Sequence, residues 1–349
     1  MTGAPPVRGG VVGMVLAAGL GKRLRPLTDL VPKPAVPVAG LPLIRYALAR
    51  LAAGEVRRAV VNTHHLAAAM EAAARAAAAA ASVELAVSTE PIIAGTGGAL
   101  REARSFLASA DAIVLWNGDV LFDLDVRAAA EEHRRSGALA TLVLAPMPAG
   151  ASYAAVEVDG GMAVRRIAGR GPGGPSLAPL HFTGVHVLSP ALLDAVPAEP
   201  FECDVNRHVY PPLLAGGAVR GLVTGGYWND LGTPDRYLGA NLDVLRGRAG
   251  APLPAADPAA GLGSAGGALV APGACVEEGA RLIAPALVAR GAVVRSGAVV
   301  GPDAVVGAGC VVGRGAEVRR AVVWEGTEVG PGERIVGAIA AGGIRVAAT

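Results

Sequence analysis

The stretch that decides the fold is Val11–Thr28, VVGMVLAAGLGKRLRPLT. Its first part, Val11–Ala17, is apolar or small at every position rather than at every second one. A strand buried on both faces reads this way, and such strands belong to parallel sheets covered by helices. Gly19 and Gly21 follow, then Lys22, Arg23 and Arg25. Glycine lets backbone come close to a ligand and turn its N–H groups toward an anion, and the cations add charge at the same place. A phosphate-cradling loop is therefore predicted directly after a buried first strand. A secretory signal is not, because only Arg8 precedes the run as a charged residue and the residues after it are Gly-rich and basic.

Working outward, Ala59–Asn62, Val83–Val87, Ala112–Trp116 and Leu139–Leu144 read as further buried strands. Helical stretches alternate with them: Leu43–Ala53, Leu66–Ala81, Gly98–Ala108 and Val126–Gly137, the last N-capped by Asp125. The alternation predicts an α/β fold, a Rossmann-like doubly wound and mostly parallel sheet, over residues 1–246. Residues 247–268, rich in Pro, Gly and Ala without periodicity, read as a linker. From 269 to 349 the character changes. An aliphatic residue recurs every six positions, from Val270 through Val276, Leu282, Val288, Val294, Val300, Val306 and Val312 to Val318. Trp324 continues the count, which then slips by one before Val329 and Ile335. The hexapeptide pattern resembles the left-handed parallel β-helix, with about 18 residues per coil and roughly four coils here.

Composition bounds the function. The chain has 349 residues, 52% of them hydrophobic, enough for two domains with real cores. Its formal charge is +2 and aromatic residues make up 3%, which argues against a nucleic-acid partner. No run of about 18 apolar residues free of Pro, Gly and charge appears, so no membrane span is predicted. Cys203, Cys275 and Cys310 match no zinc spacing and read as free thiols of a reducing, cytoplasmic setting. Of the 31 basic residues, only Lys22 and Lys33 are lysines, and both lie between Gly19 and Lys33. A rotatable point charge differs from a guanidinium fork, so this loop has a use for ammonium chemistry.

Two familiar glycine motifs fail here. The dinucleotide fingerprint needs a third Gly where Leu24 stands, and an acid about twenty residues on that the Ala39–Arg45 stretch lacks. The Walker A loop needs Ser or Thr after its Lys, where Arg23 stands, and a Gly where Leu16 stands. What the residues do resemble is the sugar-1-phosphate nucleotidyltransferase family. Its L-A-A-G-x-G-x-R-L-x-P-L-T, then P-K-P, is met from Leu16 to Thr28 and from Pro32 to Pro34. The W-x-D-x-G-T-P of the same family is met by Trp228–Pro234. With the appended hexapeptide repeats, the resemblance is nearest to mannose-1-phosphate guanylyltransferases.

The resemblance implies an enzyme that joins an NTP to a sugar 1-phosphate and releases pyrophosphate. It implies roles residue by residue. Leu16, Ala17, Ala18, Gly19 and Gly21 would hold nucleotide through backbone, with Lys22 beside them. Arg23 would bind the β- and γ-phosphates, and Lys33 the α-phosphate. Asp119, in Asn117-Gly118-Asp119 at the end of a predicted strand, and Asp230 would hold Mg²⁺, a cation that prefers sparse protein ligation. Glu90, Thr96, Gly97 and Gly98 would flank the base, and a carboxylate there could accept two hydrogen bonds from guanine. Glu157, Arg170, Thr183, Gly184 and Asn229 would face the sugar. Asp123 and Asp125 read as capping or solvated, and His186 as an ordinary strand residue.

One departure from the family weakens the reading of the sugar. Where many relatives carry Glu-Lys-Pro, this chain has Gly169-Arg170-Gly171, so Arg170 would replace a sugar-phosphate lysine. GTP with mannose 1-phosphate or a related manno-sugar is the first expectation. UTP with N-acetylmuramate or another hexose 1-phosphate, and a non-catalytic regulatory NDP-sugar binder, are the alternatives. All six histidines precede the repeat, so an acyltransferase role for the β-helix lacks its own base, and homo-oligomer contact is the expected role.

Overall fold

A computed structural model describes residues 9–148, 150, 153–250, 263–265 and 267–348. Most of the expected linker lies outside the described residues. The chain divides into two compact units: Met1–Gly19 with Ala47–Gly226, and Leu20–Tyr46 with Tyr227–Thr349. It passes from one to the other inside the glycine loop and again just ahead of Trp228.

The first unit is built on one mixed sheet. Its parallel part comprises β1 (Val11–Ala17), β2 (Arg58–Thr63), β3 (Glu84–Thr89) and β4 (Ala112–Asn117). β1 lies between β2 and β4, and β3 flanks β2, all in parallel register. Beyond β4 come β5 (Ala140–Ala145), β6 (Ala155–Val158), β7 (Val164–Ile167), β8 (Ala178–Leu188) and β9 (Val219–Val223). β8 runs antiparallel to β4, β5 and β6, while β9 joins β5 in parallel. The crossovers are α1 (Leu43–Ala53), α2 (Ala67–Ala81), α3 (Gly95–Glu102) and α4 (Val126–Ser136).

The doubly wound order read from the sequence is what the fold shows, and the packing explains it. Met14, Ile113, Leu115, Leu142 and Leu144 are fully buried in one core. Gly13 interrupts the apolar run because a Cβ there would lie 2.8 Å from Leu51 Cδ1 of α1, so its absence lets helix and strand approach. Asp125 caps α4, accepting from the Ala128 N–H at 2.9 Å. One helix differs from expectation. α3 starts at Gly95, three residues earlier than predicted, and a separate turn of helix follows at Arg104–Leu107. The carbonyl of Cys203 accepts from the N–H groups of Gly97 (2.7 Å) and Gly98 (3.3 Å), satisfying donors that a helix start otherwise leaves orphaned. That contact offsets the poor helix propensity of the glycines.

The second unit contains the short hairpin Pro37–Val38/Leu41–Pro42, helix α5 (Pro234–Leu245) and the parallel β-helix. Three stacks define the coils: Val270–Val288–Val306–Val323, Val276–Val294–Val312–Val329 and Leu282–Val300–Val318–Ile335. Partners lie eighteen residues apart until the last coil, where each lies seventeen apart. The slip is thus one shortened coil, and it falls before Trp324 rather than after it: Val323, not Trp324, pairs with Val306. Val288, Val294, Val300, Val306, Val312 and Val318 are fully buried, as are Ala292, Ala298, Ala304, Cys310 and Ala316, each two residues before a valine. Cys310 therefore fills a small-residue slot in the repeat. At one end Gly263–Ala265 folds back antiparallel on Ala268–Val270. At the other, Ile344–Ala347 folds back on Arg334–Ala341. There Arg345 bonds Glu333 Oε1 and the carbonyl of Glu328, each at 2.8 Å. No helix among the described residues is long and apolar enough to cross a membrane.

Candidate active site

In the first unit the candidate residues gather where the parallel strands end, the crevice that ligands of open α/β sheets occupy. Leu16 of β1 pairs with Asn62 and Asn117 in the flanking strands, and its carbonyl accepts from Gly118 N–H at 2.9 Å. The Val120 N–H closes a turn on the Asn117 carbonyl at 3.2 Å, leaving Gly118 and Asp119 in the turn's two central positions. Asp119 is half-buried. Across β8, Gly184 adopts φ 86°, and a Cβ there would lie 3.1 Å from Asn117 Nδ2. The pairing of β8 with β5 shifts between Phe182 and His186, a bulge of the kind that re-aims residues next to active sites. Thr183 beside it turns inward: its fully buried hydroxyl donates to the Val143 carbonyl at 2.8 Å.

A buried relay ties the strand ends together. Asn62 Oδ1 accepts from the Ala17 N–H at 2.7 Å, and Asn62 Nδ2 donates to Glu90 Oε1 at 2.7 Å. The other carboxylate oxygen of Glu90 accepts from the Ala94 N–H at 2.9 Å. His64 Nδ1 lies 2.8 Å from the Glu90 carbonyl. Glu90 is 5% exposed, so protein donors hold both its oxygens in an almost dry setting. Thr96 Oγ1 accepts from the Val205 N–H at 2.9 Å. A Cβ on Gly97 would fall 2.5 Å from Cys203 Sγ, and one on Gly98 2.6 Å from Ala94 Cβ. The glycines of Gly95–Gly98 thus answer first to internal packing of α3 against 201–205.

The remaining residues of this unit are placed plainly. Glu157 of β6 faces Arg166 of β7 at 3.5 Å. Arg170 is exposed and ends a tight turn in which it exchanges backbone hydrogen bonds with Ile167. The two residues inside, Ala168 (φ 49°) and Gly169 (φ 78°), have the positive φ of a primed hairpin turn. Asp123 pairs with Arg50. His186 is fully buried against the Tyr210 hydroxyl at 2.7 Å, and burial lowers its pKa to about 3.

In the second unit Gly21 has φ 59°, and a Cβ there would meet Thr28 Cγ2 at 2.8 Å and Lys33 Cβ at 3.2 Å. The Thr28 hydroxyl donates to the Gly21 carbonyl at 3.0 Å. Only glycine combines that conformation with that closeness. Lys22 and Arg23 follow on one exposed 3₁₀ turn. Lys33 is 6% exposed, and its ammonium donates to the Asp230 carbonyl at 2.8 Å. The Asp230 carboxylate accepts from Arg236 Nη1 at 2.8 and 3.0 Å and from the Gly232 N–H at 3.1 Å. A Cβ on Gly232 would stand 3.1 Å from Arg23 Nη1 and 3.2 Å from both Asp230 oxygens, so Arg23 lies on the same side of the turn. Burial opposes ionisation of Asp230, but Arg236, the Gly232 N–H and Lys33 together outweigh it and hold the carboxyl below its usual range. Asn229 Oδ1 accepts from the Leu231 N–H at 2.9 Å and shapes the turn.

Lys33, Arg23 and Asp230, read from three separate motifs, are therefore brought together, with Arg236 added. Three cations around one carboxylate leave a positive excess suited to a polyphosphate. Arg236 was legible only as a basic residue in the first turn of a helix begun by Thr233-Pro234. Among the described residues no group of three or more His, Cys, Asp or Glu could hold a metal. Asp119 in one unit and Asp230 in the other are single carboxylates. A lone anionic carboxylate such as Asp230 suits a hard cation that keeps waters and takes phosphate oxygens.

An open α/β sheet with a cationic glycine loop after its first strand and acids in its strand-end turns defines a nucleotide-handling transferase. The Nucleotidyl transferase family matches residues 12–247, and the chain belongs to that family. A mannose-1-phosphate guanylyltransferase of Mycobacterium tuberculosis is 32% identical over 244 residues, covering 69% of this chain and 67% of that one. A UTP–glucose-1-phosphate uridylyltransferase of Synechocystis sp. is 29% identical over 245 residues, covering 66% of this chain and 63% of that one. The chain thus spans about two thirds of their length, and just under that in the second. A solved structure of a putative glucose-1-phosphate thymidylyltransferase from Bacillus anthracis, in complex with a sucrose, shares the fold. It has a TM-score of 0.58 and 20% identity, and the match covers 66% of this chain and 94% of that one. The protein is accordingly an NDP-sugar-forming nucleotidyltransferase, and members of its family generally use a divalent metal.

Proposed function

We propose that the chain transfers a guanylyl group from GTP to mannose 1-phosphate or a related manno-sugar 1-phosphate. The observation that carries the nucleotidyl transfer in this reading is the seating of Lys33 on the Asp230 carbonyl with Arg236 and Arg23 beside it. A phosphate oxygen of the sugar forms its bond to the α-phosphorus as the bond from that phosphorus to the bridging oxygen breaks, and pyrophosphate leaves with the electron pair. Lys33 neutralises charge at the α-phosphate and Arg23 at the β- and γ-phosphates. The backbone of Leu16–Gly21 orients the nucleotide. Mg²⁺, held by Asp119 and Asp230, would supply charge neutralisation on the phosphates when bound. No general base is required, because a phosphate monoester is already anionic at neutral pH.

The Mycobacterium relative supports guanine, and the Synechocystis relative favours a second reading with uracil. A grid of four NTPs against mannose, glucose, heptose, N-acetylglucosamine and N-acetylmuramic acid 1-phosphates, read by pyrophosphate release, tests both. Release with GTP and a manno-sugar is the expected result. Release with UTP and an N-acetylated sugar alone would replace this reading with the second. We read the enzyme as cytoplasmic and homo-oligomeric through the β-helix, and a monomeric mass by light scattering would count against the latter.

A further inference from the structure

The repeat shortens at one place, and that place faces the Pro37–Pro42 hairpin. Val323 takes the stacked position opposite Val306, so the residue after it, Trp324, falls where the preceding coils have Ala289 and Gly307, and it is 7% exposed. Its indole N–H donates to Tyr237 Oη at 2.8 Å, with the rings edge-on at 70°. Tyr237 is fully buried, and its hydroxyl in turn donates to the Pro37 carbonyl. One turn further along α5, Asn241 Oδ1 accepts from the Ala39 N–H at 2.8 Å, while its Nδ2 bonds the Tyr237 carbonyl at 2.9 Å. Tyr46 Oη donates to the Val38 carbonyl at 2.8 Å. Pro37, Val38 and Ala39 are thus each gripped by a buried side chain.

Lys33 lies four residues before Pro37. Pro32, Pro34 and Pro37 fix φ along this stretch, and Val36 N–H bonds the Lys33 carbonyl at 3.2 Å. Few soft backbone torsions remain to absorb a shift of the hairpin before it reaches Lys33, whose ammonium is held in turn by the Asp230 carbonyl. A cavity of about 390 Å³, lined by Val31, Ala35 and Pro37 and by Ala289, Val305 and Trp324, lies in the same place. Continuous packing is therefore interrupted there, and the hydrogen-bonded relay bridges it.

We propose that Trp324 of the β-helix is a positioning residue for Lys33, acting through Tyr237 and the Pro37 carbonyl. The solenoid then contributes to nucleotidyl transfer and is more than an assembly module. This rests on the role of Lys33 given above. It predicts that disturbing the relay displaces Lys33 from the α-phosphate without removing it, which lowers kcat more than it alters nucleotide KM.

Full-length Trp324→Phe, Tyr237→Phe, Lys33→Ala and the Lys33→Ala/Trp324→Phe double variant test this by steady-state pyrophosphate release, with thermal midpoints recorded for each. Trp324→Phe and Tyr237→Phe should each lower kcat about tenfold with KM changed less than about twofold. In the Lys33→Ala background, Trp324→Phe should add nothing, because the group it positions is gone. Wild-type turnover in both Phe variants would overturn the proposal. So would an equal fold-loss from Trp324→Phe in both backgrounds, the mark of a general structural role. Wild-type turnover by Lys33→Ala would instead remove Lys33 from the reaction and the proposal with it.

Discussion

Lys33 and Asp230, 197 residues apart, meet through the lysine ammonium and the aspartate's own backbone carbonyl at 2.8 Å. The contact fixes the ammonium beside the Asp230 carboxylate, which Lys33 helps to hold below its usual pKa range. Lys33→Ala should lower kcat by about 10²–10³-fold, the scale seen when one preorganised charge-stabilising donor is lost. Lys33→Arg should not restore it, because a planar fork cannot take the place of a point charge that is 6% exposed. Pyrophosphate release at saturating substrate, with circular dichroism to certify the fold, measures both.

Asp230 keeps its carboxylate among Arg236, Lys33 and Arg23, so Asp230→Asn changes charge more than shape. The variant should lose at least about 100-fold in kcat and need more divalent metal for half-maximal rate. Asp119→Asn should do the same from the other unit. Chelation with EDTA should abolish turnover in the wild type, and added Mg²⁺ should restore it. Metal titrations of rate in the three proteins check this, and an unchanged metal requirement in both variants would separate these acids from the cation.

Asn62 serves two partners at once, Ala17 N–H and Glu90, while 3% exposed. Asn62→Ala should cost about 1–3 kcal/mol, the penalty of leaving a buried donor or acceptor unmet. It should also raise nucleotide KM, because Ala17 starts the glycine loop. Denaturant melts and nucleotide titrations of the rate read the two effects separately.

His133 and His186 are buried neutral bases. Burial lowers their pKa values from about 6.5 to about 4 and about 3. An unfolded chain takes up protons on them first as pH falls below 6.5, so their contribution to stability is complete above that value. It is lost progressively as pH drops toward the folded values. The unfolding free energy should be flat near pH 7–8 and fall between about pH 6.5 and 4, by up to about 1.4 kcal/mol per pH unit for each histidine, and the thermal midpoint should fall with it. His133→Asn, whose amide occupies the place of the ring Nδ1 that meets the Thr141 hydroxyl, should flatten that slope in calorimetric scans.

Pattern carried the sequence reading furthest where burial imposes a period. The unbroken apolar run of Val11–Ala17 can only be a strand covered on both faces, and the six-residue column from Val270 to Val318 can only be stacked short strands. Boundaries were less legible where a distant partner sets them: α3 begins at Gly95 because of the Cys203 carbonyl, a residue far along the chain. The glycine loop was legible in its residue types and spacing, whereas Asp119 and Asp230 were singled out through the family motifs that contain them. Arg236 on Asp230, the Asn62–Glu90 contact across 28 residues and the Trp324–Tyr237 contact across 87 were not. Each is a pairing of ordinary side chains that only the folded chain brings into range.

At each tip of the solenoid, one face is covered by a strand that runs against the coil. Gly263–Ala265 and Ile344–Ala347 each reverse direction against the terminal coil, and Arg345 lays its guanidinium over the carbonyl of Glu328. A neighbouring copy finds no matching parallel ladder there to extend. On those two faces a second copy cannot extend the parallel ladder by adding a further coil in register.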